Sequence, residues 1–320
     1  MSAPLLHRGS PVMARGLSMD RDKLTPPKRS YYKKHPELPY VAPAMIIMVL
    51  LIIVPVISVM IMSFTNYELA MPIDRMKFIG LRNYERLFFG QNTLFYYSIG
   101  ISLAMMAIAT VLQMLLGFFC ANLLNKDIKG KAVAIACLIV PIAITPSIAS
   151  QVWKLMLNAD FGVINFLLKK LFHTSVVWLG KDNSLLSVLI VNVWISTPYV
   201  TLILYAGLRS LPMDPYESAI MDGANSFQLL IRITLPLLQP LILLTILFRS
   251  IDLLKMFDIP YVLTQGGPGN ITEFIGLHIY RTGFGVTTMV GRASAISVVL
   301  ILIVALISVL LIRLLSRKED

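Results

Sequence analysis

Two stretches carry polar groups whose types and spacing could do chemistry in a predominantly apolar chain. The first is residues 212–236, Pro212-Met-Asp-Pro-Tyr-Glu-Ser-Ala-Ile-Met-Asp-Gly-Ala-Asn-Ser-Phe-Gln-Leu-Leu-Ile-Arg-Ile-Thr-Leu-Pro236. Asp214 can cap a helix whose first position is Pro215, where the missing N–H of proline costs nothing. Glu217 then falls at the third helical position, near the positive end of the helix dipole. Gly223 suits the left-handed turn that ends a helix, and Ser226 can cap a second helix running to Pro236. The second stretch is the row Arg249, Asp252, Lys255 and Asp258, three residues apart and beginning inside an apolar run. Charge within a membrane span is costly enough to point to function. A local Arg–Asp pair, or an arginine reaching up to the interface, is the plainer alternative. The preceding apolar run carries Asn192, Trp194, Ser196, Thr197 and Tyr199, which can bond a polar ligand or hold helices together.

None of this is catalytic machinery. The phosphate-cradling pattern G-x-x-x-x-G-K-[ST] is absent: Lys131 and Lys181 each follow a glycine but lack the upstream one. No G-x-S-x-G or Ser/His/Asp ordering occurs. His7, His35, His173 and His278 share no close spacing, and Cys120 and Cys137 both fall in apolar runs, so neither a metal site nor a disulfide framework is expected. The chain reads as a non-enzyme that binds no cofactor of its own.

The elements that must position these groups are membrane spans. The chain is 57% hydrophobic and 14% charged, with a mean hydropathy of +0.76, and several apolar runs exceed the ~18 residues that cross a bilayer core. Spans are expected at about 41–64, 95–124, 132–152, 185–208, 237–256 and 291–313. Pro141 and Pro146 should kink the third without ending it, because neighbouring helices re-satisfy freed carbonyls. A short amphipathic helix is expected at 162–172, and a Gly/Pro-rich connection runs from Thr264 to Gly269. The fold class is thus an all-α integral membrane protein of six transmembrane helices. It comprises a polar basic tail at 1–39, a membrane domain at 40–315 and a short tail at 316–320. The tail is not a secretory signal, since its basic region and the apolar run after it are both too long.

Six spans put both termini on one side. The segments on that side carry more than half of the Lys and Arg, and the short 125–131 loop holds three lysines against one aspartate. Both termini and the 212–236 loop are therefore expected in the cytoplasm. The net charge of +11 reads as orientation and contact with anionic lipid headgroups, not as a nucleic-acid surface.

Glu217-Ser218-Ala219, Gly223 and Ile233-Thr234-Leu235-Pro236 resemble the loop E-A-A-x-x-x-G-x(9)-I-x-L-P of ABC-importer permeases, with Ser218 in place of the first alanine. Ser63-Phe-Thr-Asn66, Phe78-Ile-Gly-Leu-Arg-Asn-Tyr84, Asp160-Phe-Gly-Val-Ile-Asn165, Leu247-Phe-Arg-Ser-Ile-Asp252, Phe257-Asp258 and Gly266-Gly-Pro-Gly269 are similar to carbohydrate-uptake permeases of the maltose and glycerol-phosphate type. The resemblance covers about residues 40–315; the N-terminal tail departs from it.

That resemblance implies a type I ABC-importer permease fold in a bacterial inner membrane, with the loop as a cytoplasmic coupling helix seated in an ATPase cleft. Tyr216, Glu217, Ser218, Ala219, Asp222, Gly223 and Phe227 would make that contact, with Tyr216, Ile220 and Phe227 as its apolar face. ATP and Mg would sit on the ATPase dimer. The family's sugar-contacting positions fall on Asn192, Ser196, Tyr199, Arg249, Asp252 and Leu253, each set of three on one helical face. Arg249 leaves room for an acidic sugar, yet Asp252 can neutralise it, so substrate charge stays open between mono- or oligosaccharide, acidic sugar and polyol. Outward loops would receive substrate from an extracytoplasmic binding protein, and a second, similar permease would complete a heterodimer. The rival is an ATP-independent secondary transporter or channel, which calls for inverted repeats or a proton-relay row across several spans; no repeat is visible, and six spans are few for such a fold. A membrane-anchored enzyme is weakened further by the lack of catalytic groups.

Overall fold

The computed structural model describes residues 38–90, 92–127, 129–285 and 288–316. All but the innermost residues of the two expected tails lie outside that range. Helix α1 (Leu38–Met62) opens the description. The chain up to Pro55 and the chain from Val56 onward form separate compact units, and the packing and sites described below belong to the second.

That unit is built from α2 (Arg82–Phe88), α3 (Thr93–Asn125), α4 (Lys131–Ala143), α5 (Pro146–Met156), α6 (Val163–Phe172) and α7 (Ser184–Ser210). It continues with α8 (Asp214–Met221), α9 (Ser226–Leu229), α10 (Leu235–Leu254), α11 (Asp258–Leu263), α12 (Ile275–Phe284) and α13 (Val290–Ser316). Among the described residues five helices are long and apolar enough to cross a membrane, and α4 with α5 makes a sixth if that bent pair counts as one span.

Small and polar residues share the inward face of α3 with the apolar core. The face of α3 that turns inward carries Ser98, Ser102, Ala109, Gln113, Gly117 and Ala121, whereas Ile108, Val111, Leu115 and Phe119 face away. Small and polar residues at three- and four-residue steps let membrane helices approach closely and bond across the seam, because lipid already satisfies the large apolar ones. Gly117 shows the closeness: a Cβ there would lie 2.6 Å from Val200 Cγ1 on α7. One core cluster joins Met105 and Ala109 of α3 to Val188 and Val191 of α7 and to Leu253, Met256 and Ile259.

Two spans differ from the expectation. The third does not merely kink: α4 and α5 meet at 101°. Pro141 stays within α4. Pro146, however, starts α5, and Ile144 and Thr145 before it are extended, with ψ of 133° and 145°. The ring of a proline disfavours helical geometry in the residue it follows, and here two residues give way. The fifth span starts early: the helix runs unbroken from Ser226 to Leu254, with no stop at Pro236. Residues Leu230–Thr234 widen into a π turn. Proline both lacks an N–H and crowds the carbonyl four residues back, and the wider turn accommodates it.

The motif pairs that are far apart in sequence meet in space. Asn83 is 4% exposed and donates from Nδ2 to the carbonyls of Ser63 (2.9 Å) and Thr65 (2.8 Å). Tyr84 Oη donates to Ser63 Oγ at 2.8 Å, and Ile79 N donates to Phe64 O at 2.8 Å. Asn165 does the same for its own loop, donating to the carbonyls of Ala159 and Val176 and accepting from Val176 N and Trp178 Nε1. Asn83→Leu strands two carbonyls on residues that are themselves buried. It is expected to cost about 2–3 kcal/mol, read as a lowered thermal midpoint of the purified protein in detergent; an unchanged midpoint overturns this account.

Candidate functional site

Asn192 and Ser196 from α7 and Arg249 and Asp252 from α10 line one cleft of about 320 Å³, together with Pro146, Lys255, Phe257 and Asp258. The break between α4 and α5 brings Pro146 and its neighbour to this wall: Ser147 Oγ donates to Asp258 Oδ1 at 3.0 Å. Tyr199 lies outside the lining, and Leu253 is 2% exposed within the core. Four of the six expected substrate positions thus line the cleft, one lies outside the lining, and one packs behind the wall.

Behind the cleft sits a residue that the sequence reading passed over. Gln113 of α3 is fully buried. Its Nε2 donates to Asn192 Oδ1 at 2.7 Å, and its Oε1 accepts from Arg249 Nε at 2.9 Å. Arg249 NH1 reaches Asp252 Oδ2 at 3.4 Å, and Lys255 Nζ lies 3.8 Å from Asp252 Oδ1. Asn192 Nδ2 contacts Met256 Sδ at 3.4 Å. Three helices therefore share one chain of polar contacts, in which no charge is left bare where burial would make it expensive. The sequence signal for Gln113 was a long carboxamide side chain in a predominantly apolar span, beside several smaller polar residues such as Ser98, Ser102 and Thr110.

The apolar side of the cleft continues into an aromatic cluster. Phe257 packs on Tyr261 and Tyr280, with both centroid distances 4.9 Å. A hydrogen bond with Tyr261 holds the Tyr280 phenol above its usual range. The Gly266–Gly269 loop curls around a buried carboxylate, Glu273, which is 1% exposed. Arg281 NH1 meets Glu273 Oε2 at 2.6 Å, and His278 Nδ1 lies 3.5 Å from Oε1. Arg281 NH2 also donates to Gln265 O at 2.8 Å, tying the loop to α12.

The second site is the loop between α7 and α10. Helix α8 begins at Asp214, and Met213 is its cap: the N–H groups of Tyr216 and Glu217 bond to the Met213 carbonyl, and no side chain caps. The cap expected of Asp214 is therefore not made, because Asp214 is already inside the first turn. At the other end Gly223 has φ +82°, Gly223 N donates to Ile220 O, and Ala224 N donates to Ala219 O. This is the paired bonding that closes a helix with a left-handed glycine. The second helix is capped by Asn225, not Ser226. Asn225 Oδ1 accepts from Gln228 N at 2.9 Å and Gln228 Oε1 accepts from Asn225 N at 2.9 Å, a reciprocal box.

Ile220, Met221 and Phe227 are 58, 87 and 69% exposed. A depression of about 350 Å³ lies beside them, lined by Ala219, Asp222, Gly223, Gln228, Arg232 and Ile233. Glu217 and Ser218 are exposed on the same loop. Tyr216 turns the other way. Its Oη donates to Thr234 Oγ1 at 2.9 Å, and Thr234 Oγ1 donates on to Leu229 O at 3.2 Å. The tyrosine thereby joins α8 to the π turn at the foot of the spanning helix instead of adding to the exposed apolar face.

Residues 93–319 match the family described as the binding-protein-dependent transport system inner membrane component. A probable ABC transporter permease protein of Sinorhizobium fredii is 38% identical over 87% of this chain and 89% of its own length. The trehalose/maltose transport system permease protein MalF of Thermococcus litoralis is 34% identical, over 88% and 93% of the two chains. Among solved structures, a bacterial ABC transporter involved in import of the acidic polysaccharide alginate superposes with a TM-score of 0.77 at 22% identity, covering 90% of this chain and 98% of that one. The polar cleft between spanning helices, the exposed helix–glycine–helix loop and these matches agree: the chain belongs to the family of binding-protein-dependent transport system inner membrane components, the multi-pass, non-catalytic permease subunits of ABC importers.

Proposed function

We propose that this permease subunit carries a carbohydrate, forming half of a translocation pathway that a second, similar permease completes. The observation that carries the reading is the cleft itself. Hydrogen-bonding side chains from α7 and α10 face one cavity with Phe257 among its lining. Such groups suit a sugar, which offers hydroxyls around its rim and an apolar face to an aromatic ring. The names of relatives support it: trehalose/maltose for the Thermococcus litoralis protein and trehalose for a 32% identical permease of Mycobacterium tuberculosis. Asn192, Ser196, Arg249 and Asp252 would face the sugar.

The 214–229 loop would seat on a separate ATPase subunit of a dimer that holds ATP and Mg, through Ile220, Phe227 and the space over Gly223. A binding protein would deliver substrate to the opposite side, and closure of the ATPase dimer would switch access across the membrane. In this arrangement the loop and both termini are cytoplasmic, which the lysines at 126, 129 and 131 support.

The test is nucleotide hydrolysis by the reconstituted complex of this subunit, its partner permease and the ATPase. Sugar-loaded binding protein is expected to raise hydrolysis well above the basal rate, whereas binding protein alone should raise it less. Hydrolysis indifferent to every carbohydrate-loaded binding protein encoded beside this subunit would sink the carbohydrate reading.

A further inference from the structure

We propose that Gln113 is a specificity-determining residue, which positions Arg249 so that the cleft accepts uncharged, polyhydroxylated ligands and turns anionic ones away. This rests on the carbohydrate reading and narrows it. The argument is the geometry of one guanidinium. An arginine grips a carboxylate, phosphate or sulfonate through two parallel N–H groups, presented either along its Nε edge or across its two terminal nitrogens. In Arg249 the Nε–H is spent on Gln113 Oε1 at 2.9 Å, and NH1 is directed to Asp252 Oδ2 at 3.4 Å. The Nε edge is thereby closed to an incoming anion, and on the terminal edge an anion would have to share NH1 with Asp252. The N–H groups left over can each donate singly, which suits a hydroxyl.

The surrounding charges point the same way. The lining carries Arg249 and Lys255 against Asp252 and Asp258. An acidic ligand that displaced Asp252 from Arg249 would leave that carboxylate beside its own negative charge. A carboxylate such as Asp252, about half exposed, accepts hydroxyl donors from a sugar instead. Gln113 holds this state from behind: it is fully buried and lies outside the lining, and its other end fixes the carboxamide of Asn192. It is therefore a positioning residue that acts through two groups that face the cleft.

Two substitutions separate selectivity from simple damage. Gln113→Leu removes the acceptor and opens the Nε edge of Arg249. Gln113→Glu keeps an acceptor on that edge and adds negative charge, while losing the donor to Asn192. Direct calorimetric titration of the full complex in nanodiscs, without binding protein, would use maltose as the neutral probe and a diuronate of equal length as the anionic one. The wild type is expected to bind maltose at least about tenfold more tightly than the diuronate. Gln113→Leu should narrow that ratio by about tenfold or invert it, and Gln113→Glu should leave it unchanged or widen it. If the leucine variant does not assemble, Gln113→Met, closer in length, serves in its place. Equal binding of the two probes by the wild type, binding of neither, or the same proportional loss for both probes in both variants overturns the proposal. Hydrolysis stimulated by sugar-loaded binding protein, measured on the same wild-type preparation, tells the two readings apart. If stimulation persists where selectivity fails, only the role of Gln113 falls; if it is absent, the carbohydrate reading falls with it.

Discussion

A complex carrying Glu217→Lys together with Gly223→Pro is expected to lose its hydrolytic response to loaded binding protein and to release its ATPase during purification. The glycine is the larger part of the effect. Its φ of +82° lies where L-residues rarely go, and proline is locked near −65°. The substitution also deletes the N–H that Gly223 gives to Ile220 O, and it disturbs the bond from Ala224 N to Ala219 O. Helix α8 would then leave the loop in a different direction, carrying Ile220 and Met221 with it. Glu217→Lys adds a reversed charge in the first turns of α8, where the helix dipole favours an acid by up to about 1 kcal/mol. If the exposed apolar residues are the anchors of an interface, misplacing them costs about 2 kcal/mol or more, roughly a thirtyfold weaker association.

Gly223→Asn is the control. Nothing lies within 4 Å of a Cβ built at Gly223, so only the backbone conformation matters, and asparagine tolerates it better than other residues. That variant is expected to keep most of the coupling. Equal coupling in the wild type, the Asn variant and the double variant would mean that the loop does not transmit the signal. Tyr216→Phe probes the next link inward: without its bond to Thr234, α8 would still dock but pass less of its movement to α10.

The sequence made the spans and the loop visible because both rest on local patterns. Apolar length marks a span whatever packs against it, and a proline, a glutamate and a glycine at fixed offsets mark a helix with a turn. What it hid depends on partners. Asn225 and Ser226 are adjacent and both good caps; only the reciprocal bond with Gln228 picks the first. Pro146 was expected to kink a span and Pro236 to end the loop helix before one, yet Pro146 breaks its helix at 101° and Pro236 is absorbed by a π turn. The difference lies in what surrounds them: Pro146 and Ser147 sit against the Asp258 end of the cleft, while the loosened turn before Pro236 is held by the Thr234 hydroxyl. Gln113 was illegible for the same reason. Its importance comes from Asn192 and Arg249, 79 and 136 residues away in the chain. Leu253 shows the converse, since helical spacing placed it on the face of Arg249 while the core claimed its side chain.

Glu273→Leu is expected to cost about 2–3 kcal/mol, because it removes a buried carboxylate that takes charge-assisted bonds from its neighbours, although the Arg281 guanidinium left behind is exposed to water. Glu273 is 1% exposed, and its carboxylate is the meeting point of Arg281 at 2.6 Å and His278 at 3.5 Å. Gly266 closes the site from the loop: with φ +77°, it leaves no room for a side chain, whose Cβ would collide with the Glu273 carboxylate. Removing the acid leaves the guanidinium of Arg281, among the described residues, with Gln265 O and Asn270 Oδ1 as partners, and the loop loses the charge around which it is wound. Glu273→Gln, which keeps the shape and one acceptor, should cost less. Replacing both members, Glu273→Leu with Arg281→Met, should recover part of the loss, since neither group is then left without the partner it is placed against. Thermal unfolding in detergent of the wild type, Glu273→Leu, Arg281→Met and the double variant gives the cycle directly. Strictly additive losses in the double variant would mean that the pair is not the element holding the Gly266–Gly269 loop on α12, whereas recovery in the double variant would assign that role to the carboxylate and guanidinium acting together.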